Sequence, residues 1–492
     1  MLFNSYTFVL AFMPAVLIGF YLLSRRDRRQ GMVILLVVAS LAFYGWWTPK
    51  YLILITASIL VNFTIAKMMA RGARAAWMWA GIAFNLGLLG YFKYAIFFTG
   101  ALAQALDADW HLPAIVLPLA ISFFTFQQIT YLVDSRHNRV ESHGFLEYCL
   151  FVTFFPQLIA GPIVHHKEMM PQFADPKRFR FSWPDVSLGL SIFFTGLFKK
   201  VVIADTMARY ATPVFQAAET GTPIGLVDGW GGALAYTFQL YFDFSGYTDM
   251  AVGLALMFGI RLPVNFFSPY KATSIIDFWR RWHMTLSRFL KDYLYIPLGG
   301  NRCGPTRRYG NLLTTMVLGG LWHGAGWTFI AWGALHGVYL IINNLWRAWR
   351  GPLAPVGGPY AAWTSRILTF LAVVAAWVVF RADSLGGAVN ILNGMAGLHG
   401  ATIPPALAEI RWHEAYYYVV ALLALVWLAP NTVQIFRTLP ETQDDRNLED
   451  QTPSWLMVKW QANRWWAYSL AFLAVASLAN MTEISEFLYF RF

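Results

Sequence analysis

The sequence predicts an all-α protein that crosses a membrane many times, and three observations predict it. Apolar residues fill 57% of the 492 positions and charged residues only 13%, at a mean hydropathy of +0.47. A soluble globular domain carries about a quarter charged residues. The deficit gathers in long uncharged runs, such as 32–47, 51–66 and 367–380, and a bilayer core takes roughly 20 apolar residues per helix. Finally, the net charge of +11 sits in short loops between apolar runs: Arg25, Arg26, Arg28 and Arg29, then Lys67, Arg71 and Arg74, then Arg136 and Arg139. That is the distribution of the positive-inside rule, and it argues against a nucleic-acid surface.

The first apolar run, 2–23, has no basic segment before it and arginines after it, so it reads as a retained span with its N-terminus outside. Four more spans follow at about 31–47, 51–67, 76–98 and 113–132. The stretch 145–164 is interrupted by Pro156-Gln157 and Gly161-Pro162. Such breaks at membrane depth survive only where protein or water surrounds them, so a broken or re-entrant helix is expected. The run 187–208 contains Lys199 and Lys200, which lie either at an interface or against a polar cavity. The run 229–258 contains Asp243, Ser245, Thr248 and Asp249. Intramembrane carboxylates are costly and usually functional, although satisfying a neighbouring helix end is the alternative use.

The stretch 260–311 is too polar and basic to span. Beyond it, 312–346 is apolar but broken at Gly319-Gly320 and at His323-Gly324-Ala325-Gly326, with arginines on both flanks. Both ends then belong in the cytoplasm, which makes a hairpin with His323 near its deep turn. Later spans fall at about 362–381, 415–430 and 465–480, with a loop of mixed charge at 434–464. The loops around 25–29, 280–308 and 434–464 are expected on the cytoplasmic side, and both termini outside. The whole chain, 1–492, reads as one integral-membrane domain: N-terminal spans 1–132, a core 145–346, C-terminal spans 362–480 and an aromatic tail 481–492. Roughly 11–12 spanning or re-entrant helices are expected. No internal repeat is visible, which counts against an inverted-repeat transporter. The two cysteines, Cys149 and Cys303, form no CxxC pair and indicate neither a disulfide framework nor a zinc site.

Two blocks carry chemistry. In 274–292, Ser274 with Asp277 is a capping-box pattern, so a helix is expected to start there. At helical spacing Trp279, His283 and Ser287 would share one face, ringed by Arg280, Arg281, Arg288 and Lys291. This is either an interfacial helix held by Trp and Arg on anionic lipid or a basic mouth for the phosphates of an acyl donor such as a CoA thioester. In 319–337, His323 and His336 sit among glycines and aromatics. A histidine in so apolar a setting must be hydrogen-bonded, paired or working. Burial without a counter-charge favours the neutral imidazole that a general base needs.

Four stretches, FFPQLIAGPIVHHKEMMPQF, QLYFDFSGYTDMAVGLALMFGI, LPVNFFSPYKATSIIDFWRRWHMTLSRFLKDYLYIPLGGNR and GGLWHGAGWTFIAWGALHG, resemble the membrane-bound O-acyltransferase superfamily in its bacterial polysaccharide branch. With the N-terminal spans, the resemblance covers nearly the whole chain. It implies a ring of tilted helices around a thinned centre, and transfer of an acyl group, acetyl in that branch, to an extracytoplasmic polysaccharide. Sister proteins modify alginate, cellulose or peptidoglycan, and a more distant group transfers D-alanine. It places the near-invariant histidine at His323 and the second polar position at His283; His336 also falls in a family pattern. On that resemblance, His323 is expected to act as general base on the incoming hydroxyl and His283 to orient or polarise the donor carbonyl. Asp243 and Asp249 are candidate supports, as are His336 and Ser287. No metal and no bound cofactor is expected; acetyl-CoA or a similar thioester serves as co-substrate.

Further partners are the lipid bilayer, the polysaccharide acceptor and an extracytoplasmic SGNH-hydrolase-like enzyme that completes transfer; no nucleic acid is expected. The bacterial cytoplasmic (inner) membrane is the expected location. The tail FLYFRF resembles the tyrosine-bearing terminus of a small companion protein in D-alanylation systems, which makes Tyr489 a candidate acyl relay, with an interfacial anchor as the alternative. Two rivals from other classes remain at this point. A transporter would also show broken helices and buried carboxylates, and a scaffold for a soluble acyltransferase would also be polytopic.

Overall fold

The computed structural model describes residues 1–26, 28–110, 112–136, 144–351, 358–438, 454–481 and 488. Among them the ordered elements are helices, with no strand. The first five are α1 (Thr7–Ser24), α2 (Arg29–Gly45), α3 (Lys50–Arg71), α4 (Arg74–Ala105) and α5 (Ile121–Arg136). Next come α6 (Phe145–Thr153), α7 (Phe155–Leu158), α8 (His166–Ala174), α9 (Trp183–Glu219) and α10 (Leu226–Met257). The remainder are α11 (Ile275–Trp279), α12 (Met284–Leu290), α13 (Gly304–His323), α14 (Trp327–Arg350), α15 (Pro359–Arg381), α16 (Leu385–Met395), α17 (Trp412–Leu428), α18 (Thr432–Phe436) and α19 (Arg464–Ala479). Six of these, α1, α3, α4, α9, α14 and α15, are long and apolar enough to cross a bilayer. The two shorter apolar helices are α2 and α17.

The chain packs as two compact units. The first comprises the described residues of Met1–Leu197, Tyr247–Pro263 and Ala462–Phe490. Its core is a phenylalanine cluster in which Phe3, Phe8, Phe12, Phe43 and Phe155 meet at 4.9–5.8 Å between neighbouring rings. A methyl on Gly189 would lie 2.6 Å from the Gly253 carbonyl oxygen, and one on Gly253 2.4 Å from that of Gly189, so α9 and α10 cross in backbone contact there.

The interrupted stretch 145–164 is broken as expected: α6 stops at Thr153 and α7 is a single turn. The Ser40 hydroxyl receives the Phe155 N–H at 3.0 Å, so this irregular backbone is satisfied by a neighbouring helix rather than left bare. The expected span 113–132 is corrected. Pro113 and Pro118 hold its first part out of the helix, which begins only at Ile121. The irregular carbonyls of Val116 and Leu119 accept the phenolic hydroxyls of Tyr51 (3.0 Å) and Tyr44 (2.9 Å).

The second unit comprises the described residues of Phe198–Gly246 and Val264–Gln461. At its centre α13 and α14 form the expected hairpin, turning at 324–326. The glycines in these helices serve close approach and not a break: α13 runs straight through Gly319-Gly320. A methyl on Gly320 would lie 2.2 Å from the Phe329 carbonyl oxygen, and one on Gly333 would lie 2.3 Å from that of Met316. Glycine at such points lets two backbones touch.

Candidate active site

The basic block opens as its sequence indicates. Ser274 caps α11, its hydroxyl accepting the Asp277 N–H at 3.1 Å, while the Asp277 carboxylate accepts the Thr273 N–H at 3.2 Å. The helix then ends at Trp279, after five residues. The chain breaks across 280–283 and restarts as α12, with His283 as its N-cap in a left-handed conformation (φ 42°, ψ 53°). A non-glycine residue held there costs on the order of 1–3 kcal/mol, and such strain clusters at functional sites. Trp279, His283 and Ser287 therefore do not share one helical face. Ser287 lies beyond the break, its hydroxyl donating to the Trp282 carbonyl at 3.4 Å.

What holds the break is the irregular segment 265–267. The Met284 N–H donates to the Asn265 carbonyl at 2.9 Å and the Phe267 N–H to that of Arg281 at 2.9 Å. The Asn265 side-chain oxygen accepts from the Thr285 N–H (3.3 Å) and the Thr285 hydroxyl (2.9 Å), and lies 3.1 Å from His283 Nδ1. Asn265, His283 and Thr285 are all buried. Burial pushes the His283 imidazole down to about 3, so the ring is neutral near pH 7.

His323 is the last residue of α13 and is buried. Its ring centroid lies 6.4 Å from that of His283. Aromatic edges and faces enclose it: Trp322 at 4.9 Å, Trp332 at 5.1 Å and Phe380 at 5.3 Å. Phe244, from α10, meets the His283 ring in a T-shaped contact at 4.8 Å. The hairpin of α13 and α14 and the broken helix pair α11 and α12 thus bring together two imidazoles that lie 40 residues apart in sequence.

His336 joins this cluster from one side. Its Nδ1 accepts the indole N–H of Trp279 at 3.3 Å, and its ring lies 4.9 Å from Trp332, which in turn touches His323. It therefore ties α11 to α14. Asp243 is buried and ion-paired with Lys200 Nζ at 2.7 Å, and Lys200 also meets Asp205 at 2.8 Å. Lys200 faces the protein interior, which decides between the two placements that the sequence leaves open. Lys199 Nζ reaches the Thr432 hydroxyl at 2.5 Å. Asp249 is buried in the first unit.

Of the basic residues around the broken helix, Arg280 and Lys291 are exposed and Arg288 is half-buried. Arg281 is not part of an exposed mouth. It is buried, with Nε 2.8 Å from Asp277 Oδ1, and locks the end of α11. Tyr489 lies outside the described residues. Sequence reasoning missed Asn265 and the aromatic walls from Phe244, Trp332 and Phe380. Asn265 stands in LPVNFF, where nothing in spacing or charge separates it from a loop residue.

The described residues thus make a multi-pass helical membrane protein in which a helical hairpin and a broken helix bring two buried imidazoles together. Residues 32–368 match the membrane-bound O-acyltransferase family, and the chain belongs to that family; it is an O-acyltransferase. The peptidoglycan O-acetyltransferase of Helicobacter pylori is 44% identical over 433 residues, covering 82% of this chain and 81% of its own. A protein named as an alginate O-acetylase from Pseudomonas putida is 38% identical over the full length of both chains. The teichoic acid D-alanyltransferase of Streptococcus thermophilus is more distant, at 28% identity over 46% of this chain and 57% of its own.

Proposed function

We propose that the protein transfers an acetyl group from a thioester in the cytoplasm to a hydroxyl of an envelope polysaccharide outside the bacterial cytoplasmic membrane. The observation that carries this reading is the buried pair His283 and His323, 6.4 Å apart. The names of the Helicobacter pylori and Pseudomonas putida relatives supply the acetyl group and a glycan acceptor. The hydroxyl oxygen attacks the thioester carbonyl carbon, the carbon–sulfur bond breaks, and the thiolate leaves. His323 takes the hydroxyl proton, a role worth typically 10²–10⁴-fold. Its place at the C-terminus of α13 suits that role, because the negative end of the helix dipole favours the imidazolium that forms, by about 0.3–1 kcal/mol. Arg280, Arg288 and Lys291 form a basic rim for donor phosphates.

Purified protein given acetyl-CoA labelled in the acetyl group is the direct test. CoA release, with label on protein or added polysaccharide, is expected; a wild-type preparation that consumes no thioester overturns the reading. Alginate and peptidoglycan strands offered side by side separate the two acceptors. The peptidoglycan reading is favoured by the 44% identity, and the alginate-like exopolysaccharide reading by the match along the whole chain.

Two predictions extend it. A cysteine placed at Arg280 reacts with a membrane-impermeant maleimide in inside-out vesicles and not in intact cells; labelling from outside removes the donor rim. In a two-stage form of the transfer, the hydroxyl that attacks the thioester is the phenol of Tyr489, and the acetyl ester so formed passes to a nucleophilic group of an SGNH-hydrolase-like partner that hands it to the polymer; Tyr489→Phe, which deletes only the hydroxyl, then abolishes polymer acetylation while thioester binding persists. Unchanged polymer acetylation in that variant makes the tail an interfacial anchor.

A further inference from the structure

A carbonyl oxygen accepts hydrogen bonds and never donates them, and this fixes the proton on His283. The Thr285 backbone N–H, which can only donate, lies 3.3 Å from the Asn265 side-chain atom in question, so that atom is the amide oxygen and not the nitrogen. The Thr285 hydroxyl donates to the same oxygen at 2.9 Å. His283 Nδ1, 3.1 Å from that oxygen, must therefore carry its hydrogen. In a neutral imidazole the other nitrogen, Nε2, then holds the lone pair.

We infer that Asn265 is a positioning residue. It holds His283 in the Nδ1–H form, so that Nε2 meets a reactant as a hydrogen-bond acceptor. This rests on the proposed acyl transfer and assigns His283 a different part in it from the one its sequence suggests. A ring whose only N–H is spent on Asn265 cannot polarise the donor carbonyl, because a carbonyl oxygen needs a donor. What it can hold is an N–H or O–H. Two reactants offer one: the amide N–H groups of the pantetheine arm of a CoA-type thioester, and the hydroxyls of the sugar acceptor. The chemistry is the same for both.

The packing supports a device of fixed geometry. His283 sits in a strained left-handed conformation, Asn265 grips the chain just after it through main-chain and side-chain bonds to Met284 and Thr285, the Phe267 N–H holds the chain just before it at the Arg281 carbonyl, and Phe244 closes one side of the ring. Removing a group that fixes the tautomer of a working histidine is costly. In the serine-protease template such a loss reaches about 10⁴-fold with the geometry intact.

The test uses the full-length protein in detergent or nanodiscs, with two variants and two kinds of measurement. Histidine ¹⁵N spectra of the wild type, with the His283 signal assigned by its loss in His283→Gln, are expected to show Nδ1 protonated and Nε2 not; the reverse pattern overturns the inference whatever the activity. Asn265→Leu removes the acceptor and is expected to lower turnover by about 10²-fold or more per folded molecule. Asn265→Asp keeps an acceptor oxygen and is expected to recover most of that loss. It also places a carboxylate beside the imidazole, which raises the pH at which His283 becomes protonated, so the acid limb of the pH–rate profile moves upward. A purely structural role lowers the yield of folded protein in both variants and leaves the rate per folded molecule and the pH profile unchanged; that result overturns the inference. The kinetic parameter that suffers in Asn265→Leu names the reactant: a rise in KM for the thioester points to the pantetheine amide, a rise in KM for the polysaccharide to the sugar hydroxyl. If thioester turnover is absent even in the wild type, the proposed function fails while the ¹⁵N result still stands or falls by itself.

Discussion

Acyl transfer by His323→Ala falls by a factor of about 10²–10⁴ per folded molecule, the typical contribution of a positioned general base. That corresponds to roughly 2.7–5.4 kcal/mol of barrier. The same substitution also removes ring contacts with Trp322, Trp332 and Phe380, and aromatic pairs of this kind are worth about 0.5–1.5 kcal/mol each. Some stability is therefore lost with the rate, and the two must be measured separately. His323→Gln separates them further, since glutamine keeps polar bulk in the cage but has no basic nitrogen. Thioester turnover normalised to folded, membrane-inserted protein is the measurement. If His323→Gln retains more than about a tenth of wild-type turnover, the base lies elsewhere, because a loss that small is below what general-base removal costs.

The span order was legible because long uncharged runs have few fates, and the hairpin because arginines flank both ends of one apolar run with glycines in its middle. The fifth span was misplaced at its start. Apolar character across 113–132 says nothing about backbone shape, and the two prolines together with the tyrosines of α2 and α3 decide it. In the site, His323 was legible from its setting and from the resemblance. The geometry of His283 was not. The capping signal at Ser274 is real, but helical periodicity was projected across a break that Asn265 imposes from 18 residues upstream. Arg281 looked like its exposed neighbour Arg280 because charge in a sequence carries no sign of burial, and its pairing with Asp277 is visible only once α11 is built. Lys200 stayed undecided for the same reason: its partners come from different turns and different helices.

Lys200→Met destabilises the protein more than Asp243→Asn does. Lys200 Nζ stands between Asp243 at 2.7 Å and Asp205 at 2.8 Å. The lysine side chain is 3% exposed and that of Asp243 1%, whereas Asp205 keeps 25%. It projects from a π-helical turn, Lys199–Ala204, inside α9, and such turns are uncommon and recur where a side chain must be re-aimed. Removing the ammonium leaves two carboxylates. Asp205 can rehydrate at its exposed edge, but Asp243, its side chain only 1% exposed, loses an ion-pair partner that water does not readily replace. Breaking a buried pair in this way costs about 3–5 kcal/mol. Asp243→Asn leaves Lys200 still paired with Asp205 and keeps an amide oxygen as acceptor, so its cost falls to about 1–3 kcal/mol, that of an imperfectly satisfied buried group. The double variant Lys200→Met with Asp243→Asn removes both deeply buried charges and is expected to be more stable than Lys200→Met alone, since an ion pair replaced as a unit is often nearly neutral. Denaturation of the purified protein in mixed micelles, followed for all three variants, gives the order. A Lys200→Met protein that unfolds like the wild type would mean that this ammonium is solvated, and that the carboxylate of Asp243 depends on some other group.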